Sequence, residues 1–408
     1  MSALKGTVFK RIPPESGPGH LVAAPSWNLR ALSVLAFAHG SSDFFSGMVP
    51  LLVFTVVTAQ HRSALVQGLI GFLWYFTSSL VQPLFGLYSD RAGRWWFLPS
   101  AVALTVIGVS CAGLAPGLAV LSGLIVLGGL GSAIMHPEAG KYAAMLSGTR
   151  KSGGISIFQI GGAVGFALGP IAISRLIEAR GAPGSVYAAV PGFVAVAILF
   201  VVMRRVDRSA RVRHAAERHN GAAMHLTASE RAVVALLVAA TALRYLVSAA
   251  FMTFLPNAVA AHGGTIAQAG DLVTAFLAVG VVGLYAGGAL GDRAGPFAVS
   301  IGSLALTAPA LWLYGAFPGP IGITSLLLAS VLISVQSAPG VAIVQRLLPQ
   351  NLGMALGLMN GVAFGIGSAM VTLVGYAVGA WGALPALQAV SFVPLACAAV
   401  YVAVRFRR

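Results

Sequence analysis

Twelve times along this chain the sequence runs for about twenty residues or more with almost no charge, and that rhythm fixes the solvent in which it can fold. A helix needs roughly 20 apolar residues to cross a hydrocarbon core. Runs of that kind lie at 31–58, 64–88, 97–115, 118–146, 152–177 and 186–203, and again at 231–260, 266–290, 297–317, 320–346, 352–379 and 382–404. Composition agrees, with 58% of residues hydrophobic and 9% charged, where soluble domains carry about 25% charged residues. The expected fold is an all-α membrane protein with twelve transmembrane helices in two six-helix halves.

A net charge of +15 would suit a polyanion binder, but the placement of the basic residues gives another reason for it. With both termini in the cytoplasm, all 25 lysines and arginines except Arg62, Arg175, Arg180 and Arg244 fall on the cytoplasmic side of the spans. The positive-inside rule accounts for that distribution and sets the orientation, so a lipid bilayer is expected as a partner and nucleic acid is not. Residues 1–30 contain no apolar core of the signal-peptide kind, so no cleaved leader is expected. Cys111 and Cys397 both lie in spans, which implies no disulfide framework. The basic, apolar-poor stretch 204–228 reads as a cytoplasmic linker between an N-terminal half, 1–203, and a C-terminal half, 229–408. It closes on Thr227 and Glu230, a capping box that starts the seventh span.

A repeat supports the division. "GLYSDRAGR" at 86–94 follows the second span and "GALGDRAGP" at 288–296 follows the eighth, half a chain length apart. Duplication of a six-helix unit is the expected origin. The G-x-x-x-D-R-x-G-R pattern between spans two and three resembles the signature loop of the major facilitator superfamily. "HGSSD" in span one, "MHPEAG" in span four, "FQIGGAVGFALGP" in span five and "RYLVSAAFMTFLP" in span seven together resemble that superfamily's fosmidomycin-resistance branch of bacterial exporters. The resemblance implies the major facilitator fold, residence in a bacterial inner membrane, and alternating access by a monomer. It also implies that Asp90, Arg91 and Arg94, with Asp292 and Arg293 in the second copy, act as a conformational switch. Pro296 stands where the second copy would need a basic residue, so the two switches are not expected to be equivalent. Gly161, Gly165, Gly169 and Pro170 resemble the antiporter motif of span five. Their four-residue spacing, like that of Gly353, Gly357, Gly361 and Gly365 in span eleven, lets helix backbones approach closely.

Charged groups at membrane depth cost roughly 2.5–3.5 kcal/mol each on insertion scales, so those present tend to face a cavity and take part in function. His39 and Asp43 are four residues apart and share a helix face. His136 and Glu138 flank Pro137, and because two residues are about 200° of helix, both can face one cavity only if the helix is distorted. His136 is otherwise a packing residue bonded to span one or five, and Glu138 otherwise pairs with Lys141 or Arg150. These four residues are the candidate proton-coupling groups. Arg244, Thr241 and Ser248 in span seven, Gln336 in span ten and Gln159 in span five are the candidate substrate-binding groups.

The reading that follows is a secondary transporter, a proton-coupled antiporter exporting a small polar or anionic compound or antibiotic. Proton-coupled uptake is the alternative, since the same residues can couple either way. Divalent-metal export is a further one, because His39, Asp43, His136 and Glu138 are suitable ligand types. No sequence constellation marks an enzyme or an ATP site, and no resident metal or cofactor is expected. The orientation has a direct test: a cysteine introduced at Ser209 should resist an impermeant thiol reagent in intact cells and react after permeabilisation. Labelling in intact cells would invert the topology.

Overall fold

Lipid offers a backbone no water to bond, so each crossing segment has to satisfy its own amides, and the chain does this with helices throughout. The structure, a computed structural model, describes residues 28–92, 94–147, 151–214, 227–348 and 357–406. In the first half α1 is Leu29–Ala59, α3 Phe97–Ala112, α4 Leu118–Leu146, α5 Lys151–Arg180 and α6 Ala189–His214. Helix α2 runs as Ala64–Tyr75 and Gln82–Ala92, joined by a π turn at Phe76–Leu80. In the second half α7 is Ala228–Ala261, α8 Ile266–Ala294 and α9 Pro296–Ala316. Helix α10 divides at Gln336 into Pro320–Val335 and Ser337–Leu347. Helix α11 opens on a π turn, Gly357–Val362, and continues as Ala363–Ala369 and Val371–Trp381, and α12 comprises Ala383–Val390 and Val393–Phe406.

Within the described residues the twelve expected spans are helical. Eleven are long and apolar enough to cross a membrane, and the sixteen-residue α3 is shorter, about 24 Å by helix rise. The capping box forms as expected. The Thr227 N–H donates to Glu230 Oε2 at 3.0 Å and the Glu230 N–H to Thr227 Oγ1 at 3.2 Å. The α6 helix runs to His214, past the expected end of its span at 203, because residues 204–214 contain no glycine or proline to stop it. Residues 215–226 lie outside the described part.

Small residues set how closely the helices approach. On α5, a Cβ at Gly161 would meet the Ala36 carbonyl, one at Gly165 the Gly40 carbonyl, and one at Gly169 the Phe44 carbonyl and Gly47. The α1–α5 seam is therefore backbone on backbone, as the spacing predicts. The stripe in α11 behaves differently. Gly353 lies outside the described residues, Gly357 and Gly361 face open space, and Gly365 abuts Leu80 of α2. The close approach of α11 to α7 is made instead at Gly367, against the Ala242 carbonyl. The π turn that opens α11 moves the helix off the period on which the stripe was read.

The two halves meet most firmly at the end of the bundle away from the α6–α7 connection, here the far end. Gln67 Nε2 donates to the Thr253 carbonyl at 2.7 Å, Thr372 Oγ1 to the Gly68 carbonyl at 3.1 Å, and the Ile171 N–H to Thr274 Oγ1 at 3.0 Å. Arg175 on α5 holds both oxygens of Asp271 on α8, at 2.7 and 2.9 Å. Both of those side chains are half exposed, so the ion pair adds at most about 1 kcal/mol and serves to fix register. At the opposite end Gln82–Ala92 and Ser337–Leu347 pack against neighbours in their own halves. Gly165→Val should lower the apparent melting temperature in detergent by several degrees, since overpacking a close seam costs about 1–3 kcal/mol. Gly357→Ala should leave it unchanged. Equal effects of the two would contradict the seam.

Candidate functional site

Two buried polar clusters occupy the interior, one in each half. In the first half Asp43 sits between two histidines. His39 Nε2 lies 3.1 Å from Asp43 Oδ2 and His136 Nε2 lies 3.3 Å from Asp43 Oδ1. Their rings meet edge to face with centroids 5.1 Å apart. The far nitrogen of each ring is anchored to backbone, His39 Nδ1 to the Phe158 carbonyl at 2.9 Å and His136 Nδ1 to the Ser132 carbonyl at 2.8 Å. His39 also stacks on Phe158, with centroids 4.1 Å apart, over a floor left open by Gly162, where a Cβ would strike the imidazole. Helices α1, α4 and α5 thus converge on one carboxylate.

The proton arithmetic follows from the atoms. A carbonyl only accepts, so each Nδ1 carries its hydrogen. A carboxylate also only accepts, so each Nε2···Oδ contact is a hydrogen bond only when a further proton sits in it. The cluster gains two charge-assisted bonds when it takes up protons and loses them on release. Its three donor atoms lie within 4.8 Å of one another, and by type and spacing they could also hold a divalent ion. The contacts seen are those of a hydrogen-bonded set.

Pro137 does not bring His136 and Glu138 to one place. His136 turns toward α1, while Glu138 is fully buried with Lys141 Nζ 3.7 Å from its Oε2. The α4 helix continues through Pro137 without interruption, so the two side chains keep the angular separation of a regular helix.

The second cluster surrounds Arg244 on α7. The residue is 4% exposed, its guanidinium carbon lies 3.9 Å from the centroid of the Tyr245 ring, and its Nε has no hydrogen-bond partner among the described residues. No ion pair to Arg244 occurs among the described residues. One turn earlier the Thr241 hydroxyl lies 3.8 Å from the sulfur of Met359. Gln336, at the break in α10, donates through Nε2 to the Tyr401 hydroxyl, and its own Oε1 is buried without a partner among the described residues. Tyr401 carries no mark in the sequence, being one apolar-span tyrosine among several. Ser248 is half-buried on α7, one turn beyond Arg244, and Gln159 is exposed on α5.

The switch residues are less informative. The side chains of Asp90 and Arg91 lie outside the described residues, while Arg94 is exposed, as are Asp292 and Arg293 at the end of α8.

Residues 34–239, just over half the chain, match the model of the Major Facilitator Superfamily. The chain is 28% identical over 372 residues to the MFS-type transporter YfnC of Bacillus subtilis strain 168, covering 89% of this chain and 90% of that one. It is 28% identical over 352 residues to the fosmidomycin resistance protein of Escherichia coli K12, covering 84% and 85%. Among solved structures, a bacterial homolog of the human lysosomal transporter Spinster, inward-facing and occupied, superposes with a TM-score of 0.74 at 15% identity, covering 93% of this chain and 97% of that one. The nucleoside transporter NupG gives 0.72 at 13% identity, covering 92% and 98%. With twelve spans in two halves and more than half of its residues matching the family model, the chain is a multi-pass membrane transporter and belongs to the major facilitator superfamily.

Proposed function

We propose that this transporter is a proton-coupled antiporter that exports a small anionic compound across the bacterial inner membrane, both termini being cytoplasmic. The observation that carries the reading is the separation of its buried charges. The first half holds a carboxylate clasped by two imidazoles, and the second holds an arginine with no acid beside it among the described residues. A guanidinium left unpaired away from water is costly, and the need is met by an anionic ligand that accepts its planar fork of N–H donors. The fosmidomycin-resistance relative supports export and an antibiotic among the compounds carried.

The His39–Asp43–His136 set is the proton site in this reading, with Glu138 as the second acid at depth. Protons entering the two Nε2···Oδ contacts tighten α1, α4 and α5 about Asp43, and their release frees α1 to move. With the termini inside, the sealed far end faces outward, so the arrangement opens toward the cytoplasm and is ready to load. Arg175–Asp271 and the α2–α7 and α2–α11 bonds would part as the far end opens. Differential contact of this kind is what a ligand needs in order to shift two states. Uptake by symport would use the same groups with the loading order reversed.

Susceptible cells making the protein should accumulate less fosmidomycin than cells without it, and Arg244→Lys should abolish the difference. A lysine keeps the charge but loses the bidentate fork, which should weaken apparent affinity about tenfold to a hundredfold. Unchanged affinity in Arg244→Lys would make that residue structural. Accumulation raised by the parent protein would favour uptake.

A further inference from the structure

The Arg244 cluster contains a second unsatisfied group of opposite character. Among the described residues Arg244 Nε is a buried donor without an acceptor, and Gln336 Oε1 is a buried acceptor without a donor. The two residues are 4% and 1% exposed. Hydrogen bonds connect the elements that carry them, because Tyr401 of α12 receives the Gln336 amide and Cys397, one turn before Tyr401, donates to the Ala240 carbonyl at 3.2 Å, one turn before Arg244 on α7. Gly340 keeps the space clear, since a Cβ there would strike the Gln336 amide and come 3.0 Å from the Tyr401 hydroxyl. Tyr401 thereby occupies the Gln336 nitrogen and leaves the oxygen as the free end.

A buried polar atom without a partner is destabilising, and two such atoms of complementary kind in the interior of the second half describe the polar groups of what would satisfy them. We propose that the site takes a compact anion that also carries an O–H or N–H donor, the anionic group on Arg244 and the donor on Gln336 Oε1. This rests on the reading of Arg244 as the anion site and adds the second recognition group. It makes Gln336 the residue that selects among anions and Tyr401 the residue that positions it. Met359, buried at the π turn that opens α11, packs against Thr241 one turn from Arg244.

Matched phosphonates test this on the purified full-length protein in detergent by calorimetric titration. The probes are hydroxyalkylphosphonates of two to four carbons, their methyl ethers, and alkylphosphonates of equal length. The best hydroxyl compound should bind about tenfold more tightly than its ether and its alkyl counterpart, the ratio a hydrogen bond to an otherwise unpaired buried acceptor gives. Gln336→Met should bring that ratio to about one, whereas Arg244→Lys should weaken all three classes together and keep the ratio. Equal binding of hydroxyl and alkyl compounds by the parent protein would overturn the proposal however the variants fold, and so would a ratio that survives in Gln336→Met. In either case a uniform loss in Arg244→Lys would leave the anion site standing. Failure of the parent to bind any of the phosphonates would overturn both.

Discussion

A charge at membrane depth has to be answered by another charge, by hydrogen bonds or by a ligand, and the interior of this transporter is organised around three such answers. Asp43 is answered by two imidazoles, each anchored to a backbone carbonyl. Glu138 has Lys141 beside it. Among the described residues Arg244 meets the face of Tyr245 and no acid, and a desolvated cation–π contact, worth about 2 kcal/mol or more, leaves the charge itself without a counter-ion. These two acids thus lie in one six-helix half and the unanswered cation in the other. In the proposed cycle, binding and proton movement are therefore assigned to opposite sides of the seam along which the halves move.

The glycine seam gives this division its mechanical setting. Because α1 and α5 touch backbone to backbone at Gly40, Gly161 and Gly165, His39 on α1 can bond the Phe158 carbonyl on α5 and still reach Asp43. A side chain at Gly162 would displace the imidazole. The corresponding approach of α11 to α7 is made at Gly367, beyond a π turn, and there the interior holds arginine, glutamine and tyrosine. The two halves share a helix plan, while local irregularities of the second, the π turn that opens α11 and the break at Gln336, accompany its different chemistry.

Much of this was legible in the residues. Apolar run length located every helix, the Thr227–Glu230 signal marked the start of α7, and the four-residue spacing of His39 and Asp43 placed them together. Helical geometry also explains why His136 and Glu138 part company, since α4 runs unbroken through Pro137 and keeps the offset of about 200° between them. What stayed hidden depends on contacts between distant segments. Tyr401 lies 65 residues from Gln336, and Asp271 lies 96 from Arg175; nothing in either local sequence names the distant partner. The π turns were hidden too, because no residue type marks them: Phe76–Leu80 contains neither glycine nor proline and Gly357–Val362 contains two glycines. That is why the span-eleven stripe predicted a seam at the wrong glycines.

The central claim is that proton exchange at Asp43 and anion binding at Arg244 are separate events joined by movement of the two halves. The most direct measurement is proton flux in proteoliposomes on adding an anion that the parent protein exports, with Asp43→Asn beside the parent and anion binding measured on both. The substituted amide keeps an acceptor of similar shape but removes the carboxylate, so the variant should bind the anion with parental affinity and move no protons in response. Parental proton flux in Asp43→Asn, or loss of anion binding along with the flux in a variant that remains folded, would contradict the account.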